Sequence, residues 1–332
     1  MFYKRKMDPK SLISWIEEHL DPTYPLLSRV HPLKGFPGHS QRVWWVKRED
    51  ELSFGISGSK YRKYASLIPA ILKKKVSKVA LVGSAYSNHI VGLLQLLNEK
   101  GLPVDVFLSE NKGDKETGNR IFLKLLMGER LSRTVPKPLW AQKDAWILSQ
   151  LEPNTFYIPE GAAMMEALPG ALSLAWDLRN NQNQLGLEFA HVFIDAGTGF
   201  AAIALLLGMH FFQLKAHVHI LLLADSFAVF HQKLSFYQKY LESVLQLRIP
   251  LPPYFLYHGS LGKAFGSTPK RIFQEIETLA REEGILTDPI YSAKLFYHAK
   301  EIVQKKELEG NLLCIHSGGG LTLSGFLENF AR

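Results

Sequence analysis

The chain has 332 residues, of which 46% are hydrophobic and 21% charged. That is an ordinary globular composition, neither disordered nor fibrous, and long enough for one large or two ordinary domains. The net charge of +8 is scattered over short runs, Lys4-Arg5-Lys6, Lys73-Lys74-Lys75 and Lys305-Lys306, which argues for a solvated surface and against a nucleic-acid partner. Cys314 is the single cysteine, so no disulfide framework can form within the chain, and a reducing, cytoplasmic compartment is the simple inference. Residues 1–10 carry charges but no apolar stretch, so no signal peptide is expected.

In chain order, residues 42–47 form the first predicted strand. Residues 78–82 form another, followed by a helix over 88–100. The strand signal returns at 104–108, just after Gly101 and Pro103, and briefly at 156–158. Residues 191–194 read as a strand that leads through a glycine-rich turn into an apolar helix, and residues 218–223 as the next strand. Residues 312–315 are the last. The apolar stretch 192–213 is interrupted by Asp195, Gly197, Gly199 and His210, and 218–224 is too short to span a bilayer, so no membrane partner is expected. Strands alternating with helices predict βαβ units and a mainly parallel sheet. Runs such as Val79-Ala80-Leu81-Val82 suit strands buried on both faces. The series predicts two open α/β layers with a cleft between them.

Open α/β sheets bind ligands at the carboxyl ends of their strands, and four segments fall there. In Ser57-Gly58-Ser59-Lys60-Tyr61-Arg62-Lys63 a lysine follows small residues where a helix begins. The helix N-terminus and neighbouring cations favour its neutral amine, the form that Schiff-base chemistry needs. Taken alone, the segment reads more simply as a solvated basic helix start. Gly83-Ser84-Ala85-Tyr86-Ser87-Asn88-His89 follows a strand directly, and Ser87 or Asn88 fits the N-cap of the next helix. Its free N–H and side-chain groups also suit a carboxylate or phenolate ligand. His89 can be a packed helix histidine. Asp195-Ala196-Gly197-Thr198-Gly199-Phe200-Ala201-Ala202 joins strand to helix, and its glycines permit close approach of a phosphate. It lacks the Gly-Lys-Ser/Thr of a Walker loop and is a poor dinucleotide fingerprint; a plain tight turn fits it equally well. His316-Ser317-Gly318-Gly319-Gly320 closes the set, as a loop whose backbone touches a ligand or as a flexible turn. No His-Glu-x-x-His, cysteine pair or Gly-x-Ser-x-Gly occurs, so no metal is expected.

Together, and in this order, these segments resemble the pyridoxal-phosphate family that holds 1-aminocyclopropane-1-carboxylate deaminase and D-cysteine desulfhydrase, with the fold of the tryptophan synthase β-subunit (fold type II). The family's Lys-Arg-Glu-Asp stands here as Lys47-Arg48-Glu49-Asp50. Its Gly-Gly-Asn-Lys-x-Arg-Lys is similar to the segment around Lys60, and its Gln-Ser-Asn-His to Tyr86-Ser87-Asn88-His89. Its Ile-Pro-Glu-Gly-Gly is similar to Ile158-Pro159-Glu160-Gly161-Ala162. Its Glu-Gly-x-x-x-Asp-Pro-Val-Tyr is similar to the run from Glu283 and Gly284 to Asp288, Pro289, Ile290 and Tyr291, and its His-Thr-Gly-Gly to His316-Ser317-Gly318-Gly319.

The resemblance implies an α/β protein of two open twisted parallel-sheet domains. The larger would hold residues 1–60 and 162–332, the smaller residues 61–161, with pyridoxal 5'-phosphate between them. Lys60 would carry the cofactor as a Schiff base. Asn88 would bond its phenolic oxygen. Gly197, Thr198, Gly199, Phe200 and Ala201 would cradle the phosphate, and Ser317 would face the pyridine nitrogen. Ser87 and Tyr291 would share the catalytic work with Lys60. Tyr86, Ser87, His89, Phe265, Tyr291 and Ser292 would line the pocket of a small amino-acid substrate, and a homodimer is expected.

Departures from the family pattern shape the expected activity. Phe265 stands where members usually have a tyrosine, which removes a hydroxyl. Ser292 stands where the cyclopropane deaminases have glutamate and the desulfhydrases threonine. Ser317 takes the place of their leucine and threonine, respectively, and a hydroxyl there cannot strongly stabilise a protonated ring. Tyr86 replaces glutamine. The family's Gly-Ser-Gly-Gly-Thr becomes Gly197-Thr198-Gly199-Phe200-Ala201, losing one hydroxyl to the phosphate. The expected activity is therefore D-cysteine desulfhydrase-like α,β-elimination, giving pyruvate, sulfide and ammonia. Cyclopropane deamination, or cofactor binding with weak or altered catalysis, are the rival expectations.

Overall fold

A computed structural model describes residues 9–38, 41–53, 58–110, 116–130, 132–259, 261 and 266–330. The strands are β1 (Val30–Pro32), β2 (Arg42–Arg48), β3 (Lys78–Gly83), β4 (Val104–Ser109), β5 (Arg133–Val135), β6 (Thr155–Ile158), β7 (His191–Ala196), β8 (His217–Leu222), β9 (Tyr254–His258) and β10 (Gly310–His316). The helices are α1 (Pro9–Glu17), α2 (Ser59–Lys73), α3 (Asn88–Glu99), α4 (Asn119–Met127), α5 (Lys143–Leu148), α6 (Leu168–Leu185), α7 (Phe200–Met209), α8 (Phe227–Leu245), α9 (Lys270–Glu283), α10 (Ser292–Lys306) and α11 (Gly320–Leu323).

The strands build two sheets. One has the order β1-β2-β10-β7-β8-β9 and the other β5-β4-β3-β6. Every pairing is parallel except β1 with β2. This is the α/β architecture of fold type II. Parallel strands need covered faces, so their sequences are continuous apolar runs rather than alternating ones. Helix α7 is apolar all round, as a helix inside the core must be, and all its residues but Ala201 are buried. Val192, Ile194 and Ala196 of β7 join α6 and α7 in the main core, while Phe193 on the other face packs with Trp44, Leu295 and Phe296. Among the described residues no helix is long and apolar enough to cross a membrane.

The seven strands predicted from sequence are all present. The three that were not predicted, β1, β5 and β9, are all sheet edges. Each is short or half-exposed, so none carries a buried apolar run, as is usual for edges.

An ionic cluster ties the start of α2 to the sheet. Arg62 on α2 donates from Nε and Nη2 to both oxygens of Glu49, at 2.6 and 2.7 Å, and from Nη2 to Asp177 of α6 at 2.6 Å. Lys47 at the end of β2 donates to Asp177 at 2.5 Å and to the Asn181 Oδ1 at 2.6 Å. Ser28 donates to Glu49 at 2.7 Å. All six side chains are buried. Burial works against the charge on Glu49, but Arg62 and Lys47 outweigh it and hold the carboxylate below its ordinary value. Removing one partner from such a cluster leaves another charge buried and unpaired, which costs about 3–5 kcal/mol. Arg62→Met is therefore expected to lower stability by about that amount, read as a shift in the urea midpoint. A change below about 0.5 kcal/mol would show that the cluster does not anchor α2.

Candidate active site

The carboxyl ends of β2, β3, β7 and β10 face the start of α2. Gly58 precedes that helix at φ +41°, and a Cβ there would lie 2.2 Å from the Ser317 carbonyl oxygen. Only glycine permits this approach, which lets the Ser59 N–H donate to the same carbonyl at 3.0 Å. Lys60 is thereby fixed beside the loop after β10. Its Nζ stands 5.6 Å from the centre of the Tyr291 ring. Burial pushes the Lys60 amine below the ordinary lysine value, against the pull of Asp195 and Asp288. A lysine so depressed holds more of its neutral, nucleophilic form.

Tyr291 is set by a tight turn. The Asp288 Oδ1 accepts from the N–H groups of Ile290 and Tyr291, each at 2.8 Å. Its Oδ2 accepts from the Ser292 N–H at 3.0 Å and hydroxyl at 2.7 Å, and the Asp288 N–H returns a bond to the Ser292 oxygen at 2.9 Å. Ser292 was expected to line the substrate pocket. The structure closes it into the start of α10 instead: it is fully buried, and Asp288 takes up its hydroxyl as both donor and acceptor.

On the opposite wall, Ser87 caps α3, accepting from the Ile90 N–H at 3.4 Å. Its hydroxyl proton and the helix N-terminus remain for an anion. Asn88 does not cap the helix. Its Oδ1 accepts from Asn119 at 2.8 Å and from the Thr322 hydroxyl at 3.0 Å, which turns the amide so that its NH2 group is left to donate. Asn119 also donates to the Tyr86 carbonyl at 2.9 Å. His89 is buried, with Nδ1 3.3 Å from the Tyr64 hydroxyl and Nε2 without a hydrogen-bond partner. Burial, followed by Lys63 and Lys60, lowers its pKa to about 3, so the ring is neutral. Phe265 lies outside the described residues.

The turn after β7 carries Gly199 at φ +78°, and no side chain caps α7. The open N–H groups at its first turn are a ready anion site. Phe200 offers only its backbone there, because its ring is buried edge-on against Tyr237. The Thr198 side chain packs on Gly161, where an added Cβ would meet its Cγ2 at 2.7 Å. Two lysines flank the turn. Lys63 donates to the Gly161 carbonyl at 3.1 Å and lies 5.0 Å from the Phe200 ring centre, and Lys233 donates to the Thr198 carbonyl at 3.2 Å. The last wall is the loop after β10. His316 contacts the Leu286 carbonyl through Nε2 at 2.9 Å and receives the Gly318 N–H on Nδ1 at 3.2 Å, which shapes the backbone around Ser317.

A recessed amine, an uncapped helix flanked by lysines and a preset amide donor make this a site for an anionic, carbonyl-bearing cofactor. These residues fit pyridoxal 5'-phosphate. The comparisons with known proteins agree. Residues 25–318 match the family model described as pyridoxal-phosphate dependent enzyme, and the chain belongs to that family. It is 24% identical to a putative 1-aminocyclopropane-1-carboxylate deaminase of Pyrococcus furiosus, over 90% of this chain and 92% of that one. It is 25% identical to the D-cysteine desulfhydrase of Serratia proteamaculans, over 92% and 96% of the two chains. Among solved structures, an ACC deaminase homologue covers 96% of both chains at a TM-score of 0.79 and 24% identity, a likeness of fold.

Sequence reasoning assigned no role to Asp195, Lys63, Lys233, Asn119 or Thr322. One signal was visible: a charged residue, Asp195, ends an otherwise apolar strand. The partners of Asn88 come from two distant helices and left no local trace.

Burial, then Lys60 and Lys233, push the Lys63 amine down to about 7. Below that pH it is already an ammonium. Above it, binding a phosphate requires proton uptake, so affinity falls by up to about tenfold per pH unit. Deoxypyridoxine phosphate, which cannot bond to Lys60, should bind wild type with this decline. Lys63→Met should bind it about tenfold or more weakly, through loss of a charge-assisted bond of about 1.5–3 kcal/mol, and without the decline. Equal affinity and slope in the two proteins would place Lys63 outside the phosphate site.

Proposed function

We propose that this chain is a pyridoxal-phosphate-dependent lyase that removes the β-substituent of a small D-amino acid, with D-cysteine as the first candidate. The reading rests on one observation: the Lys60 amine lies against the Tyr291 ring, and that ring packs on Gly197 in the turn before the uncapped start of α7. When bound, the cofactor supplies an electron sink conjugated to the substrate's α-carbon. The Lys60 amine, depressed by burial, takes the α-proton. Ser87 and the N-terminus of α3 hold the substrate carboxylate. Burial pushes the Tyr291 phenol up, so it stays protonated and can give its proton to the departing sulfur. The carbon–sulfur bond breaks, and water completes the reaction to pyruvate, hydrogen sulfide and ammonia.

The relatives named for cyclopropane deamination support a second reading. Ser292 weighs against it, because it brings no carboxylate to the position where the family resemblance puts the glutamate of cyclopropane deaminases, and its hydroxyl is taken up by Asp288.

Protein reconstituted with pyridoxal 5'-phosphate should release pyruvate from D-cysteine and not from L-cysteine, and Lys60→Ala should release none. Ketobutyrate from 1-aminocyclopropane-1-carboxylate without pyruvate from D-cysteine would select the second reading. Full turnover by Lys60→Ala would overturn both.

A further inference from the structure

Asp195 sits at the end of β7, on the face opposite Val192, Ile194 and Ala196, where the apolar layer around Phe193 opens into the site. It is only 8% exposed. Its Oδ1 has no hydrogen-bond partner, and the Ser317 hydroxyl faces its carboxyl. The other charged or titratable neighbours come from each wall of the site: Lys60 from α2, Asp288 and Tyr291 from the turn before α10, and His316 from β10. A buried carboxyl is either paired or neutral. Burial, with Asp288 adding to it, raises this one above its ordinary value, against Ser317, Lys60 and His316. Burial thus favours the proton-carrying form of this carboxyl. Lys47, Arg62 and Glu49 are committed to the structural cluster, and Asp288 is committed to its turn. Asp195 has no such structural task.

We propose that Asp195 and Ser317 form a two-proton relay to the ring nitrogen of pyridoxal 5'-phosphate, with Asp195 as the positioning residue that acts through Ser317. The inference deepens the proposed function, since it rests on Ser317 facing that nitrogen. In the resting relay the Asp195 carboxyl donates to the Ser317 oxygen, and the Ser317 hydroxyl donates to the ring nitrogen. As electrons enter the ring, the Ser317 O–H breaks and an N–H bond forms. The Asp195 O–H breaks in turn and restores the Ser317 hydroxyl. No proton is exchanged with solvent, and the negative charge ends on Asp195. Lys60 has by then gained the substrate's α-proton, so the new carboxylate faces a new ammonium. A serine alone cannot hold a protonated ring; a serine backed by a carboxyl can.

The test uses holoprotein reconstituted with cofactor labelled with nitrogen-15 at the ring, as wild type, Asp195→Asn and Ser317→Ala. Each is saturated with D-alanine, which can lose its α-proton but has no β-leaving group. The nitrogen resonance reports ring protonation directly. Borohydride reduction of each holoprotein before D-alanine is added, followed by peptide mass spectrometry, reports attachment of the cofactor to Lys60. The expected result is labelled Lys60 in all three proteins, a resonance shifted toward the protonated ring in wild type, and an unshifted one in both variants. Labelled Lys60 with the wild-type resonance in Asp195→Asn would overturn the relay while leaving the cofactor reading intact. If Asp195→Asn does not fold, a wild-type resonance in Ser317→Ala decides the same question. Absence of label on Lys60 in wild type would overturn the cofactor reading, and the relay with it.

Discussion

The buried cluster of Lys47, Glu49, Arg62 and Asp177 is the constraint on which the site depends. Residues 60 and 62 are about 200° apart around a helix, so the anchor and the reactive amine use opposite faces of one turn of α2. Arg62 faces α6, where it also bonds Ser173 at 3.0 Å. Lys60, Lys63 and Tyr64 share the other face. Fixing Arg62 with four bonds to Glu49, Asp177 and Ser173 therefore fixes the direction in which Lys60 points. An apolar contact of the same size would stabilise the helix about as well, but without direction. The geometry of charge-assisted, bidentate bonds supplies what the site needs, which is a defined rotation of the helix.

The electrostatics follow from that placement. Lys60 and Lys63 are recessed in a medium where water cannot support their charge, and both amines are driven toward neutrality. Asp195, buried among the same groups, is driven the same way from the other side. Lys63, pushed down to about 7, stands closest to its switching point of the groups whose position burial sets. A phosphate, an α-proton or a change in ring charge can each be answered by moving one proton between neighbours. Asp288, by contrast, is surrounded by donors and serves the backbone.

The sequence was legible where structure writes a local pattern. The interior strands were readable because burial on both faces demands apolar runs, and α7 because it is buried all round. The edge strands β1, β5 and β9 left no such run, and β9 follows Pro250, Pro252 and Pro253, which masks it further. The motif residues were readable as a set, because Lys47, Glu49 and Arg62 meet in one cluster and Gly58 and Ser317 meet at one contact. Three features were not readable. Ser292 was expected in the pocket because the family varies between glutamate and threonine at that position, yet its hydroxyl is turned to Asp288 at the start of α10. The orientation of the Asn88 amide depends on Asn119 and Thr322, far away in the chain. The third is how far main chain frames the turn before α7: the hydroxyl absent at Ala201 is visible in sequence, while the placing of the N–H groups is not.

That last point bears on how the site tolerates change. Its walls are set largely by backbone: the Ser317 carbonyl holds the Ser59 N–H, the Gly318 N–H holds His316, and Asp288 gathers three successive N–H groups. The phosphate turn likewise offers main-chain donors, so Phe200 can send its ring into the core against Tyr237 without closing the cradle. A site framed by main chain keeps its shape while the side chains that face the ligand vary. Tyr86, Ser317 and Asp195 stand on such a frame. Their chemistry is therefore free to set the reaction, whereas Gly58 and Arg62, which make the frame, are not free to change.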